Sequence, residues 1–290
     1  MEHSFSRIIQ GCMTWGQWGK QLSTEEQVAR IDHCVSQGIT TFDHADIYGD
    51  YTTEEEFGHA FAKASISRDQ IQLITKCGIQ YQGENRPENT IKHYQYDKAY
   101  VVGAAERALR LLQTDYIDLF LLHRPSPLMH PDEIAEAADQ LQTQGKIKAF
   151  GVSNFTPSQT ELIRSKTPVY GNQIECSLTA TQSLFDGQLD YMMTHSIMPM
   201  AWSPLGAVFQ EENPQTQRLH EKLETLASKY QVSKDQLLLA WILKHPARIH
   251  PVIGTTQPER IAAAVQAQHL ELELQDWFEL LVASQGHKVP

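Results

Sequence analysis

Short apolar runs alternate with amphipathic stretches along the whole chain, and the alternation repeats eight times. The runs fall at residues 7–11, 40–43, 71–76, 117–123, 149–153, 170–174, 198–202 and 249–253, and each reads as a strand. Helical patterns fill the gaps, among them 23–37, 98–112, 132–144 and 213–230. Ser23 with Glu26 has the form of a capping box, and Gly38 and Gly145 sit where helices should stop. Strict alternation of strand and helix implies parallel strands joined by right-handed crossovers. Eight such units in 290 residues favour closure over an open sheet. The expected fold is α/β, a (β/α)8 TIM barrel in a single domain over residues 1–290, with extra helices at 233–244 and 274–284 near the C-terminus. Two longer irregular stretches, 78–97 and the one starting at Pro204, stand out as loops.

Composition narrows the function. Hydrophobic residues make up 41%, enough for a large core. A formal net charge of −11 speaks against general nucleic-acid binding and against anionic membrane surfaces. Cys12, Cys34, Cys77 and Cys176 are scattered with no paired spacing, which fits a reducing, cytoplasmic setting. Residues 1–7 lack the apolar core of a signal peptide, and no apolar stretch approaches the length of a membrane span. Nothing in the sequence specifies an oligomeric state.

On such barrels, chemistry gathers at the C-terminal ends of the strands. Four ionisable residues fall there: Asp43, Tyr48, Lys76 and His123. Asp43 and Tyr48 share the stretch 41–49, Lys76 closes the third run, and His123 closes the fourth. Together they form a proton-transfer kit. The amine can lower the phenol pKa towards neutrality, the carboxylate can pair with the amine, and the imidazole can orient a carbonyl oxygen. Asp43 alone reads equally well as a turn cap, and Tyr48 alone as a surface aromatic; their joint placement is what points to chemistry.

No G-x-G-x-x-G follows the first strand, where 11–16 reads Gly-Cys-Met-Thr-Trp-Gly, and no Walker-type loop is present. A dinucleotide would be held another way. Ser153 and Asn154 end the fifth strand with side chains of the kind that a nicotinamide carboxamide needs, although such a pair also suits the N-cap of the next helix. Gln173, ending the sixth strand, offers the same chemistry. Trp202 ends the seventh strand and offers either a stacking face or core packing. After the eighth strand, Gly254, Thr255 and Thr256 put backbone amides and small hydroxyls at a helix start, an anion site, with Arg260 one turn in.

In these motifs the chain resembles the aldo-keto reductases, which reduce carbonyls with NADPH. The tetrad matches in order, and 145–155 (GKIKAFGVSNF) closely matches a family signature. The resemblance implies Tyr48 as general acid, assisted by Lys76, Asp43 and His123. It implies NADP(H) bound by Thr14 and Trp15, with Ser153, Asn154 and Gln173 at the carboxamide and Trp202 under the nicotinamide ring. Ser203, Leu205 and Gly206 then meet the pyrophosphate, beside Gly254, Thr255 and Thr256, and Arg260 pairs with the 2′-phosphate. Many members carry Lys or Arg in the loop after the eighth strand and Glu-Asn a turn later. Here Gly254, Thr255, Thr256 and then Ala263-Ala264 stand there, so NADPH preference rests mainly on Arg260.

The expected reaction is hydride transfer from NADPH to a small aldehyde or ketone. Trp15, Trp18, Tyr48, Tyr81 and Tyr96 are expected on the rim, without a charged anchor, which fits an aromatic or apolar carbonyl. Arg124, after His123, reads as a salt-bridge residue. No metal is expected: the stretch 43–46 (DHAD) lacks the further histidines or acids of metal-dependent barrels. Two rivals are a Schiff-base aldolase using Lys76, and a redox-sensing regulatory subunit that holds NADPH and turns over slowly.

Overall fold

Eight parallel strands close into one barrel in the computed structural model, which describes residues 5–289. Residues 1–4, part of the polar N-terminal stretch, and Pro290 lie outside the described residues. The barrel strands are β1 (Ile9–Gly11), β2 (Thr41–Asp43) and β3 (Gln72–Cys77). After a short excursion come β6 (Ile117–Leu122), β7 (Ile147–Ser153), β8 (Gly171–Glu175), β9 (Met198–Trp202) and β10 (His250–Ile253). Each pairs with the next in parallel, and β10 pairs with β1, Ile9 opposite Val252. The excursion is β4 (Ile79–Gln80) paired antiparallel with β5 (His93–Tyr94). It lies within the stretch 78–97 that the sequence presents as irregular.

The helices are α1 (Thr24–Ser36), α2 (Thr53–Phe61), α3 (Lys98–Leu111), α4 (Pro131–Thr143) and α5 (Pro157–Arg164). They continue with α6 (Gln188–Thr194), α7 (Pro214–Tyr230), α8 (Lys234–Leu243), α9 (Pro258–Gln266) and α10 (Leu274–Gln285). Both halves of the Ser23–Glu26 capping box are formed. The cap of α5 is Thr156, boxed with Gln159. Ser153 and Asn154 are therefore not spent on capping.

Strand periodicity places the site. Side chains two apart share a face. Ile9, Ile74, Leu119, Leu121, Ala149, Met200 and Val252 form an apolar plug inside the barrel. Their neighbours Phe42, Leu73, Phe120, Leu122, Phe150 and Val152 pack in the layer under the helices. Two residues beyond a plug position lies the next inward layer, towards the C-terminal rim. Ile74 leads to Lys76, Leu121 to His123, and Met200 to Trp202. Glycines let the plug close: a Cβ on Gly151 would stand 2.6 Å from the Gly171 carbonyl oxygen and 2.8 Å from Leu121 Cδ2.

Candidate active site

The loop after β2 runs on along β3. His44 N–H donates to the Ile74 carbonyl (2.8 Å) and Asp46 N–H to that of Lys76 (3.0 Å), which fixes the loop against the strand carrying Lys76. From there the Lys76 ammonium, 1% exposed, donates to both Asp43 oxygens (2.8 and 2.7 Å), to the His44 carbonyl (2.7 Å) and to the Tyr48 hydroxyl (3.2 Å). The Gln173 amide donates to the same Asp43 carboxylate at 2.8 Å. The Tyr48 and His123 rings meet edge-on, with centroids 6.0 Å apart. Residues from β2, β3, β6 and β8 thus converge on one buried cluster.

Burial works against a charged Lys76, but the Asp43 carboxylate and the Tyr48 oxygen overcome it and hold the ammonium above its ordinary pKa. An amine in that state has no lone pair to offer a carbonyl, which disfavours Schiff-base chemistry. Tyr48 departs from the sequence expectation. Burial raises its pKa more than Lys76 lowers it, so the hydroxyl keeps its proton. His123 is pushed well below its ordinary range by burial and then by Lys76, Arg124 and Lys92. Its imidazole is neutral, and Nδ1 has no hydrogen-bond partner among the described residues.

The cluster floors a cleft of about 880 Å³ on the C-terminal rim. Thr14, Ser153, Asn154, Gln173, Trp202, Ser203, Leu205, Gly206, Gly254, Thr255, Thr256 and Arg260 line it together with Asp43, Tyr48 and His123. Asn154 (φ 62°) and Ser203 (φ 48°) adopt left-handed backbone conformations uncommon outside glycine, a form of strain typical of functional sites. The Asn154 amide donates to the His123 carbonyl (3.2 Å) and to Ser153 Oγ (2.9 Å), and its oxygen accepts from Trp202 Nε1 (2.9 Å). The Trp202 indole is thereby held in the cleft wall. The Gln257 N-cap of α9 makes no side-chain cap bond, and the Gly254–Thr256 loop before it lies in the same wall. These features fit an elongated anionic dinucleotide: amide and hydroxyl side chains at one end, backbone donors and Arg260 at the other.

Trp15 is a correction. It is fully buried against Phe42 and Phe57 and does not line the cleft. Tyr96 is buried too, its hydroxyl donating to the Arg124 carbonyl at 2.5 Å. Of the expected rim, Trp18 and Tyr48 reach the cleft, and Tyr81 backs Trp18 edge-on at 5.5 Å. Arg124 makes no ion pair with a described residue. Its guanidinium lies 5.7 Å from the Trp202 ring centroid, and with Lys92 it lines the cleft beside His123. The rim therefore has charged anchors. Arg124, which the sequence presents as a salt-bridge residue, is one of them.

A buried acid pair lies behind the cluster. Glu54 on α2 accepts from the Thr75 hydroxyl at 2.5 Å, and Asp46 accepts from Tyr100 at 3.2 Å. Burial pushes each carboxyl up to about 7, with Glu54 adding to the rise at Asp46, and Arg107 opposing it at both. A carboxyl raised in the folded state binds more protons than the unfolded chain between its ordinary value and 7. Its stabilisation is complete at low pH and falls as pH rises through that window. Glu54→Gln should remove the part of this fall that Glu54 contributes, while Asp46 stays raised by burial. Measured by urea unfolding, the parent should lose on the order of 1–3 kcal/mol relative to the variant between about pH 5 and about pH 8. The buried neutral histidines titrate in the opposite sense but are common to both proteins. A constant difference between the two would contradict the assignment.

The molecule is thus a parallel (β/α)8 barrel with a buried Asp–Lys–Tyr cluster beneath a cleft on its C-terminal rim. The chain belongs to the aldo/keto reductase family, whose profile matches residues 7–281. Membership makes it an oxidoreductase with NADP(H) as cofactor. It is 41% identical to the uncharacterized oxidoreductase YcsN of Bacillus subtilis, over 99% of this chain and 96% of that protein. It is 38% identical to a 6-dehydroglucose reductase of Agrobacterium fabrum, over 98% and 96% of the two chains. Among solved structures, an aldo/keto reductase from Klebsiella pneumoniae in complex with NADP and acetate superposes with a TM-score of 0.80. That match has 26% identity and covers 99% of this chain and 93% of the other. No helix among the described residues is long and apolar enough to cross a membrane.

Proposed function

We propose that the protein reduces the carbonyl of a small aldehyde or ketone, with Tyr48 as the proton donor. The observation that carries this reading is the Lys76 ammonium, bonded at once to Asp43 and to the Tyr48 hydroxyl on the cleft floor. Bound in the cleft, NADPH supplies the hydride. Tyr48 Oη gives its proton to the carbonyl oxygen as charge develops there. A phenol raised by burial holds that proton at neutral pH, as a general acid must. The resulting phenolate forms beside Lys76, whose charge Asp43 sustains and Gln173 braces. Neutral His123 places the carbonyl by hydrogen bonding and adds a fixed donor at the oxygen.

Ser153, Asn154, Gln173 and Trp202 hold the nicotinamide end in this reading. Thr14, Ser203, Leu205, Gly206, Gly254, Thr255 and Thr256 take the pyrophosphate stretch, and Arg260 the 2′-phosphate. Among the cleft-lining residues, Arg124 and Lys92 offer donors and Trp18 an aromatic face. That combination suits a hydroxylated aldehyde, polar groups on the cations and C–H groups on the indole. The name of the Agrobacterium relative, a 6-dehydroglucose reductase, points the same way. We place the whole chain, residues 1–290, in one barrel domain. We place it in the cytoplasm, where four buried free thiols suit a reducing medium.

A panel of hydroxylated, aromatic and aliphatic aldehydes, ketones and quinones, followed at the NADPH absorbance band, tests the reaction. Absence of oxidation with every member would contradict it. Arg260→Ala should weaken NADPH about ten-fold and NADH little, as expected for loss of a charge-assisted contact on a partly exposed side chain. Equal losses in fluorescence titrations with the two nucleotides would remove Arg260 from the 2′-phosphate.

A further inference from the structure

The cleft wall carries four cations, Lys20, Lys92, Arg124 and Arg260, and only two carboxylates, Asp43 and Asp235. Asp43 is committed to Lys76. Asp235, at the start of α8, is thus the one remaining acid in a cleft that has to accept a polyanion. Arg260 is the only one of the four cations that is ion-paired with a described residue, and its partner is Asp235, Oδ2 lying 3.4 Å from Nε. The contact uses Nε alone. The two terminal nitrogens of the guanidinium make no hydrogen bond to described residues, so the fork that matches a phosphate stays available.

The pairing is built into the fold rather than left to chance on the surface. Ser233 and Gln236 form a capping box that sets the first turn of α8. The Gln236 amide then donates to the Ala263 carbonyl of α9 at 3.2 Å, which docks the two helices side by side. Asp235 and Arg260 face each other across that junction. The loop that precedes α9, Gly254–Gln257, contains no cation that would compensate for the charge Asp235 cancels.

We propose that Asp235 is a cofactor-selectivity residue: by half-neutralising Arg260 it weakens the hold on a 2′-phosphate and keeps the cleft open to NADH as well as NADPH. The inference rests on the NADP(H) reading above. A dianionic 2′-phosphate gains from Arg260 and is repelled by Asp235. The 2′-hydroxyl of NADH carries no charge, so it has neither that attraction to lose nor that repulsion to suffer.

Asp235→Asn tests this, because the amide oxygen can still accept from Arg260 Nε while the charge is gone. Titration of protein fluorescence with NADPH and with NADH, without substrate, gives the ratio of the two affinities. The ratio should shift towards NADPH by about three- to ten-fold at low salt and by less at high salt, as exposed charge effects do. Asp235→Glu should retain the parent ratio. A purely structural role for Asp235, as an acid at a helix start, would move the melting temperature and leave the ratio alone. An unchanged or lowered NADPH:NADH ratio in a folded Asp235→Asn protein would overturn the proposal. If the parent binds neither nucleotide, the cofactor reading itself fails, and the selectivity proposal fails with it.

Discussion

Tyr48→Phe should lower carbonyl reduction by about 10²–10⁴-fold, the usual contribution of a positioned general acid, with NADPH affinity close to that of the parent. The substitution removes one hydroxyl and keeps the ring against His123 and Trp18. Lys76 keeps its three other acceptors, the two Asp43 oxygens and the His44 carbonyl, so the buried cluster remains satisfied and the fold should persist. Steady-state turnover on the best aldehyde of a panel, with a fluorescence titration of NADPH, measures both halves. Near-parental turnover would take Tyr48 out of the mechanism, and the tetrad reading with it.

Lys76→Met should be costlier still, because it strikes stability as well as chemistry. The ammonium is fully buried and lies within hydrogen-bond reach of Asp43, Tyr48 and a backbone carbonyl. Removing it leaves the Asp43 carboxylate buried with only the Gln173 amide as a side-chain donor. Breaking one partner out of a buried pair typically costs about 3–5 kcal/mol. Urea unfolding at neutral pH should show a loss of that order. Turnover should fall as far as in Tyr48→Phe, and the double variant should be little worse than either single one, because both residues serve one proton transfer. Additive losses in rate would mean that the two act separately.

Where the residues carry a period, the sequence was legible. β9 runs from Met198 to Trp202, as its apolar run indicates, and the other barrel strands agree to within two residues at each end. Lys76 and His123 could be placed on the rim because they close apolar runs, and strand geometry then turns them inward with Ile74 and Leu121. Loops carry no such period. Trp15 and Trp18 stand three apart in one loop. Composition does not say that Trp15 turns into the Phe42–Phe57 layer while Trp18 turns to the cleft. The two-residue strands β4 and β5 are likewise too short to leave a pattern. Charge balance was also hidden. The direction of the Tyr48 shift depends on burial outweighing Lys76, a contest between desolvation and Coulomb attraction that residue identity alone does not decide. Arg124 reads as an ion-pair residue in the sequence, but it has no acid partner among the described residues and lines the cleft wall beside Trp202.

Isotope transfer from cofactor to product follows the hydride itself. The purified protein is mixed in turn with NADPH deuterated at each of the two nicotinamide C4 positions, together with a hydroxylated aldehyde, and the alcohol formed is analysed by mass. NADPH oxidation should keep step with alcohol formation, with one of the two labelled cofactors, and not the other, placing deuterium on the former carbonyl carbon. Alcohol that carries no deuterium from either cofactor, or no NADPH oxidation with any aldehyde or ketone tried, would contradict the proposed reduction.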